Sequence, residues 1–304
     1  MASSSAKSGY FFRETLGRYA TTFCGGIIIF LTLAMVLFIA FKGLAVFLGK
    51  NPLSPFEFLC SSNWQPDASP DEGGAKFGAL VFILGSINVS LLAVLFSAPI
   101  AIAAAVLIAI IAPKPGEYFF RPVIELFTGI PSVVYGWVGL CLLVPWIRNH
   151  LGGLGFSLLA GSLVLAVMIL PTITMLATDA LQALPKSYTE GSYALGATRW
   201  QTIYRVLLPM ARARILIGIT LGISRALGEA LAVQMVIGNS ISLPNSLFRP
   251  MSTLTSILTM DMGNTVMGSQ WNNALWSMAL LLLLISFGFV LVIKKLGSHH
   301  LEMH

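Results

Sequence analysis

The chain has 304 residues, of which 56% are hydrophobic and 10% are charged, and its formal net charge is +6. A soluble domain carries about 25% charged residues, so this composition excludes an ordinary globular domain and predicts an all-α, polytopic membrane protein. The basic residues border the apolar stretches and form no separate patch, which argues against nucleic acid as a partner. The cysteines lack the spacing of a metal site or a disulfide framework.

Six apolar stretches predict six transmembrane helices. They cover about residues 19–48, 77–112, 126–147, 156–180, 215–237 and 274–293. The second stretch carries no charge. As one helix it would be about 54 Å long, against a hydrocarbon core of about 30 Å. We therefore expect this helix to tilt, to bend near Pro99 or to project from the bilayer.

The Lys and Arg residues predict how these helices are oriented. With the N-terminus inside, twelve of them lie in inner segments and five in outer ones. Because inner loops are the more positive, both termini are predicted to be cytoplasmic. The expected organisation is a cytoplasmic segment 1–18 and a transmembrane domain 19–296 with a cytoplasmic loop 181–214. A tail, 297–304, has no assigned role.

Two outer segments, 49–76 and 239–273, are long enough to cap the outer face. The first carries Trp64 with several prolines and acidic residues, and the second carries Asp261 among Ser and Thr residues. Neither segment is long enough to be a domain. We expect both to contact a soluble partner, and for the first segment the alternative is a solvated connector.

The third apolar stretch contains a glycine and a proline, Gly129 and Pro131. Both residues loosen a helix at membrane depth, and the backbone groups that they free need partners in protein or in a water-lined cavity. Thr128, Ser132 and Tyr135 are therefore candidates to line a polar pathway. A simple packing kink is the alternative.

The cytoplasmic loop contains a motif with defined spacing. Glu190 is followed by two small residues, Gly191 and Ser192, and after three more residues by Gly196. Nine further residues then separate Gly196 from the aliphatic Val206, which is followed by one residue and by Leu208-Pro209. This spacing resembles the EAA loop of ABC-transporter permeases, which implies that the loop docks on a cytoplasmic ATPase. The candidate contact residues are Glu190, Gly191, Ser192, Gly196, Arg199, Leu208 and Pro209.

Local chemistry adds expectations for this loop. Gly196 is expected to permit the turn between two short helices. Pro209 is expected in the first turn of the fifth membrane helix, where its missing N–H is tolerated. Arg199 and the neighbouring arginines have two candidate roles, which are contact with lipid headgroups and contact with the ATPase.

The fifth apolar stretch contains two charges, Arg225 and Glu229. Arg225 lies 13 residues beyond Arg212, which is about 20 Å along a helix, and a charge at that depth costs about 2.5–3.5 kcal/mol. The i,i+4 spacing predicts that Arg225 and Glu229 share one helical face and pair. They either face a pathway, where Arg225 offers a fork of donors to an oxyanion, or only hold helices together.

The sequence has no Walker A loop, no Ser/His/Asp set and no metal-spaced cluster. We therefore predict that the chain is not an enzyme and holds no cofactor, and that a partner binds and hydrolyses ATP.

Together with the EAA-like loop, three segments resemble the phosphate-importer permeases, and within them the PstC type more than the PstA type. These segments are 128–137, 225–229 together with 235–239, and 246–248. The resemblance implies a six-helix, MetI-like permease architecture in a bacterial inner membrane. It implies as partners a second, PstA-like permease, a PstB-like ATPase dimer, a PstS-like phosphate-binding protein and membrane lipids. It also implies that Arg225 and Glu229 act in phosphate translocation.

The sequence thus predicts the membrane subunit of an ATP-driven phosphate importer. The nearest alternative is an ABC permease whose substrate is molybdate, sulfate or another oxyanion. A stand-alone secondary transporter or channel, and a regulatory membrane scaffold, are alternatives from other classes.

Overall fold

The computed structural model describes residues 3–48, 52–69, 74–243 and 245–298. Most of the predicted tail, residues 299–304, lies outside the described residues. So do Lys50 and residues 70–73 of the first outer segment, and Pro244 of the second.

Helices dominate the described chain. They are α1 (Ser3–Leu48), α2 (Pro55–Cys60), α3 (Leu80–Val106), α4 (Pro113–Pro115), α5 (Arg121–Gly129), α6 (Ser132–Val138), α7 (Val144–His150), α8 (Leu158–Gln182), α9 (Lys186–Ala194), α10 (Arg199–Thr202), α11 (Leu208–Gly228), α12 (Leu231–Ile237), α13 (Leu254–Asp261) and α14 (Gln270–Ser298). Two short antiparallel strands, β1 (Trp64–Gln65) and β2 (Lys76–Phe77), pair Trp64 with Phe77. The predicted boundary at residue 18 falls inside α1.

Five helices of the described chain are long and apolar enough to cross a membrane. They are Gly17–Leu48, Leu80–Ile111, Leu158–Gln182, Arg199–Gly228 and Gln270–Lys295. A sixth crossing exists only if the pair Pro113–Gly129 and Ser132–His150, bent by 93°, counts as one span. The chain is thus an all-α polytopic membrane protein, and the third predicted span, 126–147, falls on this bent pair, which breaks at the glycine and proline expected to loosen it.

The α8 helix lies at the centre of the bundle, with α3 and α11 packed along it. Its buried residues include Leu165, Ile169 and Ile173. Gly222 of α11 lets the two backbones approach, since a Cβ there would lie 2.9 Å from Ile173 Cδ1. By contrast, α1 packs mainly on α14 and exposes most of its apolar side chains, as a lipid-facing helix does.

Four π-helical turns interrupt the helices, and each ends two residues before a proline. They are Leu107–Ile111, Gly116–Phe120, Gly139–Leu143 and Ile203–Leu207, followed by Pro113, Pro122, Pro145 and Pro209. A proline ring clashes with the carbonyl one turn back, and a wider turn relieves that clash. Pro209 lies in the first turn of α11, as predicted, and α11 also continues the helical run that begins at Arg199.

Residues 52–69, 74–79, 238–243 and 245–273 form one end of the bundle, which we call the distal end. It lies opposite α9 and α10, because α3 and α8 begin there and end near α9 and α10. Its core contains Phe58, Trp64, Phe82, Leu254 and Leu275. The two predicted outer segments therefore pack into one apolar cluster with the ends of the membrane helices.

Candidate functional site

The first break in a membrane helix lies between α5 and α6. After Gly129, Ile130 (ψ 128°) and Pro131 (ψ 140°) are extended, and the helix resumes at Ser132. Proline disfavours the helical conformation for the residue before it, which explains the extended Ile130. The Tyr135 hydroxyl donates a 2.7 Å hydrogen bond to the Phe127 carbonyl, which otherwise accepts only a 3.4 Å bond from the Ile130 N–H at the end of α5.

The second break lies between α11 and α12, and it contains no proline. Helix α11 ends at Gly228, and Glu229 is extended (φ −76°, ψ 126°). Its carboxylate Oε1 accepts a 3.2 Å hydrogen bond from the Ala232 N–H, and its carbonyl accepts a 2.8 Å bond from the Thr255 hydroxyl. A carboxylate at the first turn of a helix satisfies a free N–H and favours the helix dipole.

Arg225 and Glu229 do not pair, so the prediction of an i,i+4 pair on one helical face is wrong. Arg225 lies in the last turn of α11, and its Nη1 donates a 3.2 Å hydrogen bond to Thr172 Oγ1 of α8. The helix ends before Glu229, which turns toward α12 instead. Among the described residues, no carboxylate lies within 4 Å of the half-buried Arg225 guanidinium.

The segments that follow the two breaks, α6 and α12, pack on each other. The contact centres on Gly136, where a Cβ would lie 2.8 Å from Ala232 Cα and 2.9 Å from Met235 Sδ. Tyr135, next to Gly136, packs on the buried cluster that contains Ala226, the residue after Arg225. The two breaks therefore adjoin each other through α6 and α12.

The other two predicted pathway residues lie at the first break. Ser132 begins α6 and is partly buried. Thr128 is exposed on α5, where its hydroxyl donates to the Ile124 carbonyl (3.3 Å) and lies 3.9 Å from Met175 Sδ. The hydroxyl of Thr128 is thus occupied by its own helix and by a neighbour on α8.

Sequence reasoning missed three contacts of this region. Thr172 and Thr255 bond Arg225 and Glu229 across separations of 53 and 26 residues. Arg121 bridges to Asp179 of α8 at 3.3 Å. The only sequence signal for the threonines is a hydroxyl in or beside an apolar stretch, which does not name its partner.

The EAA-like motif folds as a pair of short helices, α9 and α10. The Ser192 and Thr202 hydroxyls lie 2.9 Å apart and join the two helices. Gly196 lies in the turn between them with φ of +81°, and a Cβ there would meet no atom within 4 Å. The glycine is therefore required for its backbone conformation and not for space.

Arg199 has a role that the sequence did not predict. Its Nη2 donates hydrogen bonds of 2.6 and 2.7 Å to the carbonyls of Ile110 and Ile111, at the end of the π turn after α3. These carbonyls are among those that a helix end leaves without partners. Arg199 thus ties the α9–α10 pair to the second membrane helix.

The α9–α10 pair and the turn after it expose large apolar side chains. Leu195 is 90% exposed, Trp200 66% and Tyr204 69%. Glu190 and Gly191 are exposed beside them, whereas Leu208 packs against a buried cluster of α3, α8 and α11. An exposed apolar patch of this kind is typical of a protein interface.

Residues 97–298 match the family described as binding-protein-dependent transport system inner membrane component, and the chain belongs to this family. It is therefore the permease of an ABC importer, a non-catalytic membrane subunit. The fold agrees, since the chain resembles a subunit of a bacterial ABC transporter for the acidic polysaccharide alginate (TM-score 0.63, 14% identity, 95% of this chain and 98% of that one).

Two curated relatives are similar to the chain over most of its length. The chain is 53% identical to a probable ABC transporter permease protein, YqgH of Bacillus subtilis strain 168, over 94% of this chain and 91% of that one. It is 32% identical to the phosphate transport system permease protein PstC of Mesorhizobium japonicum, over 88% of this chain and 85% of that one.

Proposed function

We propose that the chain is a PstC-type permease subunit of a bacterial phosphate importer. The observation that carries the proposal is Arg225, a half-buried guanidinium in a membrane helix without a carboxylate partner among the described residues. The relative named PstC supports phosphate as the substrate. Both termini are cytoplasmic in this proposal, and the distal end faces the periplasm.

The electrostatics of the second break favour an anion. A cation at membrane depth costs about 2.5–3.5 kcal/mol, and a passing oxyanion offsets that cost. The guanidinium presents a planar fork of donors that matches phosphate oxygens. Because Glu229 is held by the N–H of Ala232, its charge does not neutralise Arg225 through a direct pair.

The coupling path follows one helical run. The exposed face of the α9–α10 pair docks on the partner ATPase. From α10 the chain stays helical through the π turn and α11 as far as the second break, as one run over Arg199–Gly228. Arg199 carries the same displacement to the end of α3. ATP-driven movement of the pair therefore acts on Arg225 directly.

The test is ATP-dependent uptake of radiolabelled phosphate by the assembled transporter in proteoliposomes. Arg225→Gln is expected to lower uptake at least about tenfold, since a hydrogen bond to a charged group contributes about 1.5–3 kcal/mol. Lys294→Gln, which removes an exposed cation from another membrane helix, α14, is the control and keeps normal uptake.

A double variant separates transport from packing. Replacing Arg225 and Glu229 together by Leu keeps uptake low if Arg225 contacts the anion. Near-normal uptake by this variant contradicts the pathway role, because it shows that neither charge is needed once apolar side chains fill their places. If sulfate or molybdate stimulates ATP hydrolysis and phosphate does not, phosphate is not the substrate, but the chain remains a permease of an ABC importer.

A further inference from the structure

The distal end contains a cavity of about 830 Å³ that lies outside the proposed pathway. Its walls come from the β1 region, the end of α12, α13 and the start of α14, and include Trp64, Asp67, Asn239, Asp261 and Trp271. Pockets that hold ligands typically measure about 300–1,000 Å³, so a few residues of another chain fit here.

Three polar atoms in this wall are buried and have no hydrogen-bond partner among the residues that the structure describes. They are the indole nitrogens Nε1 of Trp64 and Trp271 and the amide oxygen Oδ1 of Asn239. Trp64 is only 5% exposed, and Phe77 and Phe82 hold its ring edge-on at 5.5 and 5.6 Å between centroids. A buried polar group without a partner costs about 1–3 kcal/mol, so a small movement of the wall that lets these three atoms meet an acceptor and a donor of an occupant is favoured.

The described lining of the cavity has two acids and no base. Asp67 and Asp261 line it, and none of its lining residues is Lys, Arg or His. Burial raises the pKa of Asp261, the nearby indole N–H groups of Trp64 and Trp271 lower it, and Asp67 raises it. Neither indole reaches the distance and angle of a hydrogen bond. The cavity therefore disfavours an anion such as free phosphate and favours a cation.

We propose that this cavity receives a loop of the soluble substrate-binding partner, and that a basic side chain of the loop pairs with Asp67 and Asp261. A polypeptide loop fits all three features: its carbonyl oxygens accept from the indoles, its N–H groups donate to Asn239, and its Lys or Arg neutralises the carboxylates. The inference rests on the proposed function, which puts the distal end on the side where the binding protein arrives.

The experiment measures the affinity of the source organism's phosphate-binding protein for the assembled transporter in lipid nanodiscs. Replacing Asp67 and Asp261 together by Asn is expected to weaken binding at least about tenfold, which corresponds to about 1.4 kcal/mol, and to reduce its salt dependence. Asn keeps the size of Asp and one acceptor oxygen. The matched control is Glu57→Gln, which removes an exposed acid of the same end that does not line the cavity.

Two outcomes overturn the inference. The first is unchanged affinity in the double variant at normal recovery of the complex. The second is loss of the other permease subunit from the purified complex, which assigns the cavity to the contact between permeases. Failure of the proposed function looks different, because then the unaltered complex itself shows no phosphate uptake that depends on the binding protein.

Discussion

The two interrupted membrane helices differ in what keeps them interrupted. Between α5 and α6 the cause is local, since Pro131 cannot donate to a helix and disfavours a helical Ile130. Between α11 and α12 the residues at the break, Glu229 and Ala230, are ordinary helix formers, and the break is held by contacts from Thr255 and Ala232. A local break survives changes in its surroundings, whereas one held by tertiary contacts depends on them.

That difference matters because only the second break ends a helix that begins at the α9–α10 pair. An interruption that depends on tertiary contacts can change when those contacts change. We infer that the second break is the element that responds to the ATPase and that the first break is its fixed counterpart. Substitutions at the contact between them, and then at each break in turn, test this assignment.

The largest effect is expected at Gly136, where the two breaks meet. Gly136→Ala places a Cβ 2.8 Å from Ala232 Cα and forces α6 away from α12, and overpacking of this kind costs about 1–3 kcal/mol. We expect phosphate uptake to fall at least about tenfold at matched expression. The control is Gly129→Ala at the first break, where a Cβ meets no atom within 4 Å. Equal uptake by the two variants contradicts a shared site.

An intermediate effect is expected at Thr255. Thr255→Val keeps the shape of the side chain but removes the donor to the Glu229 carbonyl, so a buried acceptor loses its partner at a cost of about 1–3 kcal/mol. We expect a lower melting temperature of the complex and uptake that falls several-fold. Thr220→Val is the matched control, because that hydroxyl bonds only within its own helix, to the Leu216 carbonyl. If both variants behave alike, tertiary contacts do not hold the second break.

The sequence predicted the first break but not the second, because a local sequence pattern reveals local causes and does not reveal contacts between distant residues. Gly129 and Pro131 act on their own neighbours, so a local pattern reveals them. The turn at Gly196 is local as well, and the structure has it. The end of α11 depends on Thr255 and on α12 packing against α6, and neither contact leaves a signal at Glu229. The expected ion pair failed because it assumed a straight helix through residues 215–237.

Composition and periodicity were sufficient to predict the membrane segments, because the bilayer sets their length and their apolar character. Four of the six predicted membrane segments match long apolar helices of the described chain to within a few residues at each end, and the fifth, 215–237, overlaps Arg199–Gly228 but runs past its end. Composition and periodicity were insufficient to predict contacts between helices that are distant in the sequence. Arg199 shows this, because nothing in the spacing of the EAA-like motif says that its guanidinium binds the carbonyls of Ile110 and Ile111, almost ninety residues earlier.

The smallest effect is expected at Tyr135. Tyr135→Phe removes the 2.7 Å bond to the Phe127 carbonyl, a contact that contributes about 0.5–1.5 kcal/mol, while Pro131 still enforces the extended conformation. We expect uptake within about threefold of the unaltered chain and a melting temperature lowered by no more than a few degrees. Tyr118→Phe, at a fully exposed position of the same bent pair, is the control for loss of a hydroxyl. Abolished uptake in Tyr135→Phe, at normal recovery of the complex, contradicts the fixed role of the first break. The hydroxyl is then a direct contact of the anion beside Arg225, and the first break is as responsive as the second.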